Sequence, residues 1–202
     1  VLRSDPTTEI PKRIGFADPP YPGLAHYYRD HPDYAGEVDH GELIRRLERD
    51  YDGWVLHTSS PALGGVLAHV AAECAEPPRV MAWVKPFASF KPSVPVAYAW
   101  EPMLVKACRK PVVSGRVVLR DWYAENITMR RGFVGAKPEA LCRWLFEVLG
   151  AEPEDELDDM FPGSGAVGRA WEVWRGDVLY DRGQPLPDDN RLDFWEASDA
   201  AL

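Results

Sequence analysis

An α/β fold with a mostly parallel sheet and helices on both faces is what this 202-residue sequence predicts, on three observations. Segments of strand length alternate with segments whose apolar residues recur at helical spacing, the pattern of repeated βαβ units. Hydrophobic residues make up 46% of the chain and charged residues 27%, enough apolar surface for a core without disulfide support. No apolar run approaches the about 18 residues that a membrane-spanning helix needs, so no membrane partner is expected.

The elements follow in order. Lys12 to Ala17 reads as a strand that stops at Asp18-Pro19-Pro20. Asp39 to Tyr51 reads as a helix: Asp39 is placed to cap it, Glu42 to complete a capping pair, and Leu43, Ile44 and Leu47 share one side. Gly53 to Thr58 is a strand, Leu63 to Glu73 a helix, and Arg79 to Val84 and Tyr98 to Ala107 are strands separated by the proline-bearing loop 85–92. Lys137 to Leu149 is the clearest helix, with Pro138 in its first turn, Leu141, Trp144, Leu145, Val148 and Leu149 on one face, and Gly150 as its stop. Glu156 to Phe161 is a short strand entering a glycine turn, and Ala166 to Arg175 a helix. The expected organisation is one domain over residues 1–176 and an acidic tail over 177–202.

Charge is unevenly distributed. Between Val105 and Pro138 eight basic residues face two acidic ones, whereas residues 177–202 hold seven acidic and two basic. A net charge of −9 excludes a protein that coats nucleic acid by bulk electrostatics, so phosphate contacts would have to come from the basic band. Trp122 and Tyr123 lie inside that band, where a stacking platform and ordinary core packing are both open readings. Cys74, Cys108 and Cys142 form no C-x-x-C pair, which suits a reducing compartment and predicts a cytoplasmic protein. Residues 1–6 have no apolar core of a signal peptide, so none is expected there. The five histidines show no ligand spacing, and no metal is expected.

Two motifs carry chemistry, each at a predicted strand end. Gly163-Ser164-Gly165-Ala166-Val167-Gly168 fits G-x-G-x-x-G, but no following strand ends in the acid that a nicotinamide dinucleotide needs, so that cofactor is not expected. What remains is a turn whose glycines let a ligand approach the backbone. In Asp18-Pro19-Pro20-Tyr21 the prolines stiffen the chain and hold a carboxylate, backbone carbonyls and an aromatic ring in fixed relation. Acceptors beside a ring suit an exocyclic amine on a flat heterocycle, although a rigid turn alone would read the same.

Taken together, the motifs resemble those of the S-adenosylmethionine-dependent amino-methyltransferases acting on adenine or cytosine, whose signatures are D-P-P-[YFW] and F-x-G-x-G. Asp18-Pro19-Pro20-Tyr21 matches the first and Phe161-Pro162-Gly163-Ser164-Gly165 the second. Lys137-Pro138-Glu139-Ala140-Leu141 is similar to the family's K-P-x-x-L segment. The catalytic motif precedes the cofactor motif, an order that resembles the circularly permuted DNA enzymes. Trp83-Val84-Lys85 and Glu101 more loosely resemble the messenger-RNA adenosine branch.

The resemblance implies a Rossmann-like methyltransferase fold and S-adenosylmethionine as cofactor. Asp18, Pro19, Pro20 and Tyr21 would be catalytic. The cofactor would be held by Asp18, Lys137, Pro138, Phe161, Pro162, Gly163, Ser164 and Gly165, with Asp158 or Asp159 on its ribose. Tyr21, Trp83, Lys85, Phe87, Lys91 and Glu101 would meet the substrate, with residues 85–135 as a small target-recognition region. The implied activity is methyl transfer to an exocyclic amine, N6 of adenine in DNA first. Cytosine N4, RNA, a small amine, or a non-catalytic partner subunit are the alternatives, and a homodimer is an expected form. Composition fits a GC-rich bacterial or phage genome.

Overall fold

A computed structural model describes residues 10–29, 36–87, 94–111, 118–127 and 136–181. Its six strands are β1 (Arg13–Ala17), β2 (Gly53–His57), β3 (Arg79–Val84), β4 (Trp100–Lys106), β5 (Trp122–Ala124) and β6 (Glu156–Asp159). They form one sheet in the order β5-β3-β4-β2-β1-β6. Only β4 runs against the rest: it pairs antiparallel with β2 and β3, while β1–β2, β1–β6 and β3–β5 are parallel. The C-terminal ends of five strands therefore share one edge with the start of β4.

Strand alternation divides the core into two layers. Ile14, Phe16, Val55, Met81, Trp83, Met103 and Val105 face α3 (Glu139–Leu149) and α4 (Ala166–Asp181). Ala17, Trp54, Leu56 and Leu104 face the opposite way, onto α1 (His40–Asp50) and α2 (Leu63–Glu73). Burial on both faces explains why β1 and β2 are continuously apolar rather than alternating. Asp39 caps α1 as predicted, its side chain accepting the Glu42 N–H at 3.0 Å. Gly15 lets α1 sit directly on β1, because a Cβ there would lie 2.9 Å from Leu47 Cδ2 and 3.0 Å from Tyr51 Cγ.

Three differences from the sequence reading have physical causes. Helix α3 begins at Glu139 rather than Lys137, because Pro138 is extended (ψ 140°) and serves as the N-cap; Lys137 is left on the approach to the helix. Helix α4 continues to Asp181, past the expected end at Arg175 and past the expected boundary at 176. Val167, Ala170, Trp171, Trp174 and Val178 extend its buried stripe, and Asp177 pairs with Arg143 of α3 at 2.6 Å, so the first acidic residues of the expected tail are helical. Trp122-Tyr123-Ala124, read as part of a recognition region, is an edge strand. Its two aromatics separate: Tyr123 stacks on Trp144 at 5.3 Å, while Trp122 is 40% exposed beneath the Arg120 guanidinium. Among the described residues all three cysteines are free, and no helix is long and apolar enough to cross a membrane.

Candidate functional site

The edge formed by the C-terminal strand ends gathers most of the chemistry-bearing residues. Asp18 directly follows β1, His57 closes β2, Lys85 follows β3, Glu101 opens β4, and Asp159 closes β6. Lys137 reaches the same edge from the approach to α3. Ligands of open α/β sheets bind outside this edge, so its location is meaningful before any residue is considered.

The first group of charges is closely paired. Lys137, with its side chain only 5% exposed, donates to Asp18 Oδ2 at 2.5 Å. Lys85 pairs with Glu101 Oε1, and the Tyr21 hydroxyl donates to Glu101 Oε2 at 2.9 Å. Both ammonium groups lie over the Trp83 ring, Lys85 Nζ at 4.8 Å and Lys137 Nζ at 5.5 Å from its centre, a cation–π floor for the group. Burial raises the Asp18 carboxyl above its ordinary range, with Glu101 adding repulsion and Lys137 and Lys85 pulling it down. Burial opposes the charge on Lys137, but Asp18 and Glu101 outweigh it and its pKa is raised.

Trp83 departs from the sequence expectation. It is 2% exposed and its indole N–H donates to the Glu125 carbonyl at 2.7 Å, so it forms the floor of the site rather than a surface on which a base could stack. The reason is its register on β3, which directs it toward α3 with Met81. Phe87 is 60% exposed and remains open, its backbone N–H held by Asn126 Oδ1 at 2.9 Å. Lys91, with residues 88–93, 112–117 and 128–135 of the expected recognition region, lies outside the described residues.

The second group surrounds the glycine turn between β6 and α4. Gly163 and Gly165 have φ of +47° and +68°, which side-chain-bearing residues rarely adopt, and the Gly165 N–H closes the turn on the Pro162 carbonyl at 2.6 Å. The two aspartates that precede it diverge. Asp158, paired in register with Gly15, points toward α1 and accepts the Tyr51 hydroxyl. Asp159, paired with Phe16, faces the α3 side with Asp18. Burial pushes its carboxyl up to about 6, against the pull of the Phe161 N–H, with Asp18 and Asp158 adding repulsion. Both Asp159 oxygens are enclosed, and the Phe161 N–H is directed at the carboxylate without closing a well-formed hydrogen bond.

His57 and Thr58, which the sequence reading left out of the site residues, lie beside them. Both are fully buried at the end of β2, and neither the His57 ring nitrogens nor Thr58 Oγ1 has a partner among the described residues. Burial, then Lys137 and Lys85, hold the imidazole well below its ordinary pKa and therefore neutral. Their one sequence signal was position: they end a strand parallel to the one that carries Asp18. Among the described residues no cluster of His, Cys, Asp and Glu is arranged for a metal ion.

No family model and no curated protein matches this sequence. The fold does match solved structures. M1.HpyAVI, solved as a complex with SAM, superimposes with a TM-score of 0.54 at 17% sequence identity, over 82% of this chain and 77% of that one. A second crystal structure of M1.HpyAVI gives 0.52 at 16% identity with the same coverage. The sheet is thus a Rossmann-like α/β fold, in agreement with the fold class that the sequence predicts.

Proposed function

We propose that the protein is an S-adenosylmethionine-dependent methyltransferase acting on the exocyclic amine of a nucleobase, with N6 of adenine in DNA as the acceptor. The observation that carries the reading is the nearness of Asp18, just after β1, to Asp159, the last residue of the neighbouring β6, at the edge where the glycine turn opens. The shared fold with a protein solved in complex with SAM supports the cofactor, and the resemblance of the two motifs supports the acceptor.

The residues present fit the cofactor. The Asp159 carboxylate oxygens are enclosed and keep acceptor capacity that the Phe161 N–H does not fill, which a ribose hydroxyl or an ammonium group would, and Gly163 and Gly165 leave the turn without side chains. Asp158 is taken by Tyr51, so of the two aspartates Asp159 is assigned to the cofactor. When bound, S-adenosylmethionine supplies an electrophilic methyl on a sulfonium.

The chain's own residues prepare the amine. Its lone pair is delocalised into the heterocycle, so the free amine is a poor nucleophile. Asp18 and the Pro19 carbonyl accept its two hydrogens, which draws the nitrogen toward a tetrahedral shape and localises the pair. These acceptors also stabilise the positive charge that grows on nitrogen, in a site arranged beforehand. The raised pKa of Asp18 suits it to take the proton that the methylated amine sheds. Tyr21 stacks on the ring and sets its plane; orientation of this kind contributes on the order of 7–11 kcal/mol. In a duplex the base must first leave the stack, at a cost of a few kcal/mol.

The test is transfer of labelled methyl from S-adenosylmethionine to DNA, RNA and free nucleosides, followed by digestion and identification of the modified base. Wild type labels DNA at adenine N6, and Asp18→Ala lowers the rate by about a thousandfold. Undiminished labelling in Asp18→Ala, or no donor binding by calorimetry, would overturn the reading.

A further inference from the structure

Both carboxylate oxygens of Glu101 are engaged, Oε1 by Lys85 and Oε2 by the Tyr21 hydroxyl at 2.9 Å. Each oxygen keeps a second lone pair, but both are already anchored within the protein, so the carboxylate is fixed in place by its own chain. Glu101 is also only 17% exposed at its side chain, and its anchor is rigid: it faces Trp83 in the antiparallel register of β3 and β4, and Lys85 is held over the Trp83 ring. The Lys85 N–H further ties the chain to the Ala99 carbonyl at 2.7 Å, just before β4.

Tyr21 sits at the opposite end of this connection, on the loop after β1. A tyrosine ring on a loop can turn about its side-chain torsions, and a stacking partner that turns does not define a plane. A hydroxyl fixed at the far end of the ring removes that freedom, and hydrogen bonds to a charged acceptor are the stronger kind. We propose that Glu101, braced by Lys85, is a positioning residue that acts on the base through Tyr21. This rests on the nucleobase methyltransferase reading and replaces direct substrate contact by Glu101 and Lys85 with an indirect role.

The test is steady-state methyl transfer to DNA at saturating donor, with five proteins: wild type, Tyr21→Phe, Glu101→Gln, Glu101→Ala, and Tyr21→Phe combined with Glu101→Ala. Tyr21→Phe and Glu101→Ala each raise KM for DNA by about tenfold, the loss expected for one charge-assisted hydrogen bond, and leave KM for the donor unchanged. Adding Tyr21→Phe to Glu101→Ala causes no further loss, because the same bond is already gone. Glu101→Gln keeps an acceptor for the hydroxyl and stays within about threefold of wild type. Tyr21→Phe removes the bond without leaving a buried charge, so the proposal stands or falls even if Glu101→Ala does not fold. Multiplicative effects in the double variant, a Tyr21→Phe protein with wild-type KM, or a Gln variant as impaired as Ala would each overturn it. A wild-type protein that transfers no methyl to any acceptor overturns the functional reading itself, and an active wild type with additive losses overturns only the role of Glu101.

Discussion

Asp155 enters β6 and Asp159 leaves it, so the two carboxylates mark opposite edges of one sheet. Asp155 is completely enclosed, with no side-chain exposure, and its oxygens accept from Nη1 and Nη2 of Arg109 (2.6 and 2.9 Å) and from the backbone N–H groups of Lys12 and Glu152 (2.7 and 2.8 Å). The Asp159 oxygens are enclosed as well, but nothing beyond the pull of the Phe161 N–H answers them among the described residues. The same residue type at the two ends of one strand is satisfied where the fold closes and left short of donors where ligands of this architecture bind. An unmet buried acceptor destabilises the free protein, and it persists where a ligand brings the missing donor.

The contrast breaks most visibly at the satisfied end. Asp155→Ala leaves Arg109 without its carboxylate and frees the Lys12 and Glu152 N–H groups, and stability falls by about 3–5 kcal/mol. Denaturant unfolding reads this directly, and a loss below about 1 kcal/mol would show that the clip is ornamental.

At the other end the sign reverses. The Asp159 pKa of about 6 lies above the ordinary 3.8, so the folded state favours its neutral form. The stability from this group is complete below about pH 4 and is lost as pH rises through about 6. Asp159→Asn, which cannot ionise, is therefore more stable than wild type at pH 8, by about 1–2 kcal/mol after allowance for partial exposure, and nearly equal to it at pH 4. Calorimetry of the same variant shows weakened S-adenosylmethionine binding. Thermal melts at the two pH values separate this from any general effect of the substitution; equal gains at both would sever Asp159 from the ligand argument.

The legibility of the sequence differed along the same line. Strands and helices were readable because each layer of the core repeats at its own period: Leu43, Ile44 and Leu47 on α1, and Leu141, Trp144, Leu145 and Val148 on α3. Asp18 and the glycine turn were readable because proline and glycine constrain the backbone locally. Pairings between distant segments left no local trace. The resemblance grouped Lys137 with Asp18 and Glu101 with Tyr21, but nothing near either residue indicates that the side chains pair directly, since those contacts depend on strand order. Trp83, implied by the resemblance to meet the substrate, shows the same limit: nothing beside the loop it precedes indicates that the register of β3 turns it inward. The divergence of Asp158 and Asp159 likewise follows from which neighbour on β1 each one faces, Gly15 or Phe16.

Lys137 provides the finest comparison, because Asp18 is the carboxylate at this strand-end edge that does have a cation. Burial is the largest force pushing Asp18 up, with Glu101 adding to it, and Lys137 is the largest force holding it down, with Lys85 adding to that pull. Lys137→Met removes that force and keeps much of the side-chain volume. Asp18 then binds its proton at a higher pH, and since the amine needs an ionised acceptor, methyl transfer fails earlier as pH falls. The acid limb of the pH–rate profile moves upward, while the rate well above it approaches wild type. Stability changes least of the three variants, by about 1 kcal/mol or less, because Asp18 can neutralise itself by taking up a proton and is not left as a lone buried charge. An acid limb that stays in place, with the rate reduced equally at every pH, would mean that Lys137 serves the cofactor rather than the charge state of Asp18, and the two ends of the edge would then be one site held by shared residues.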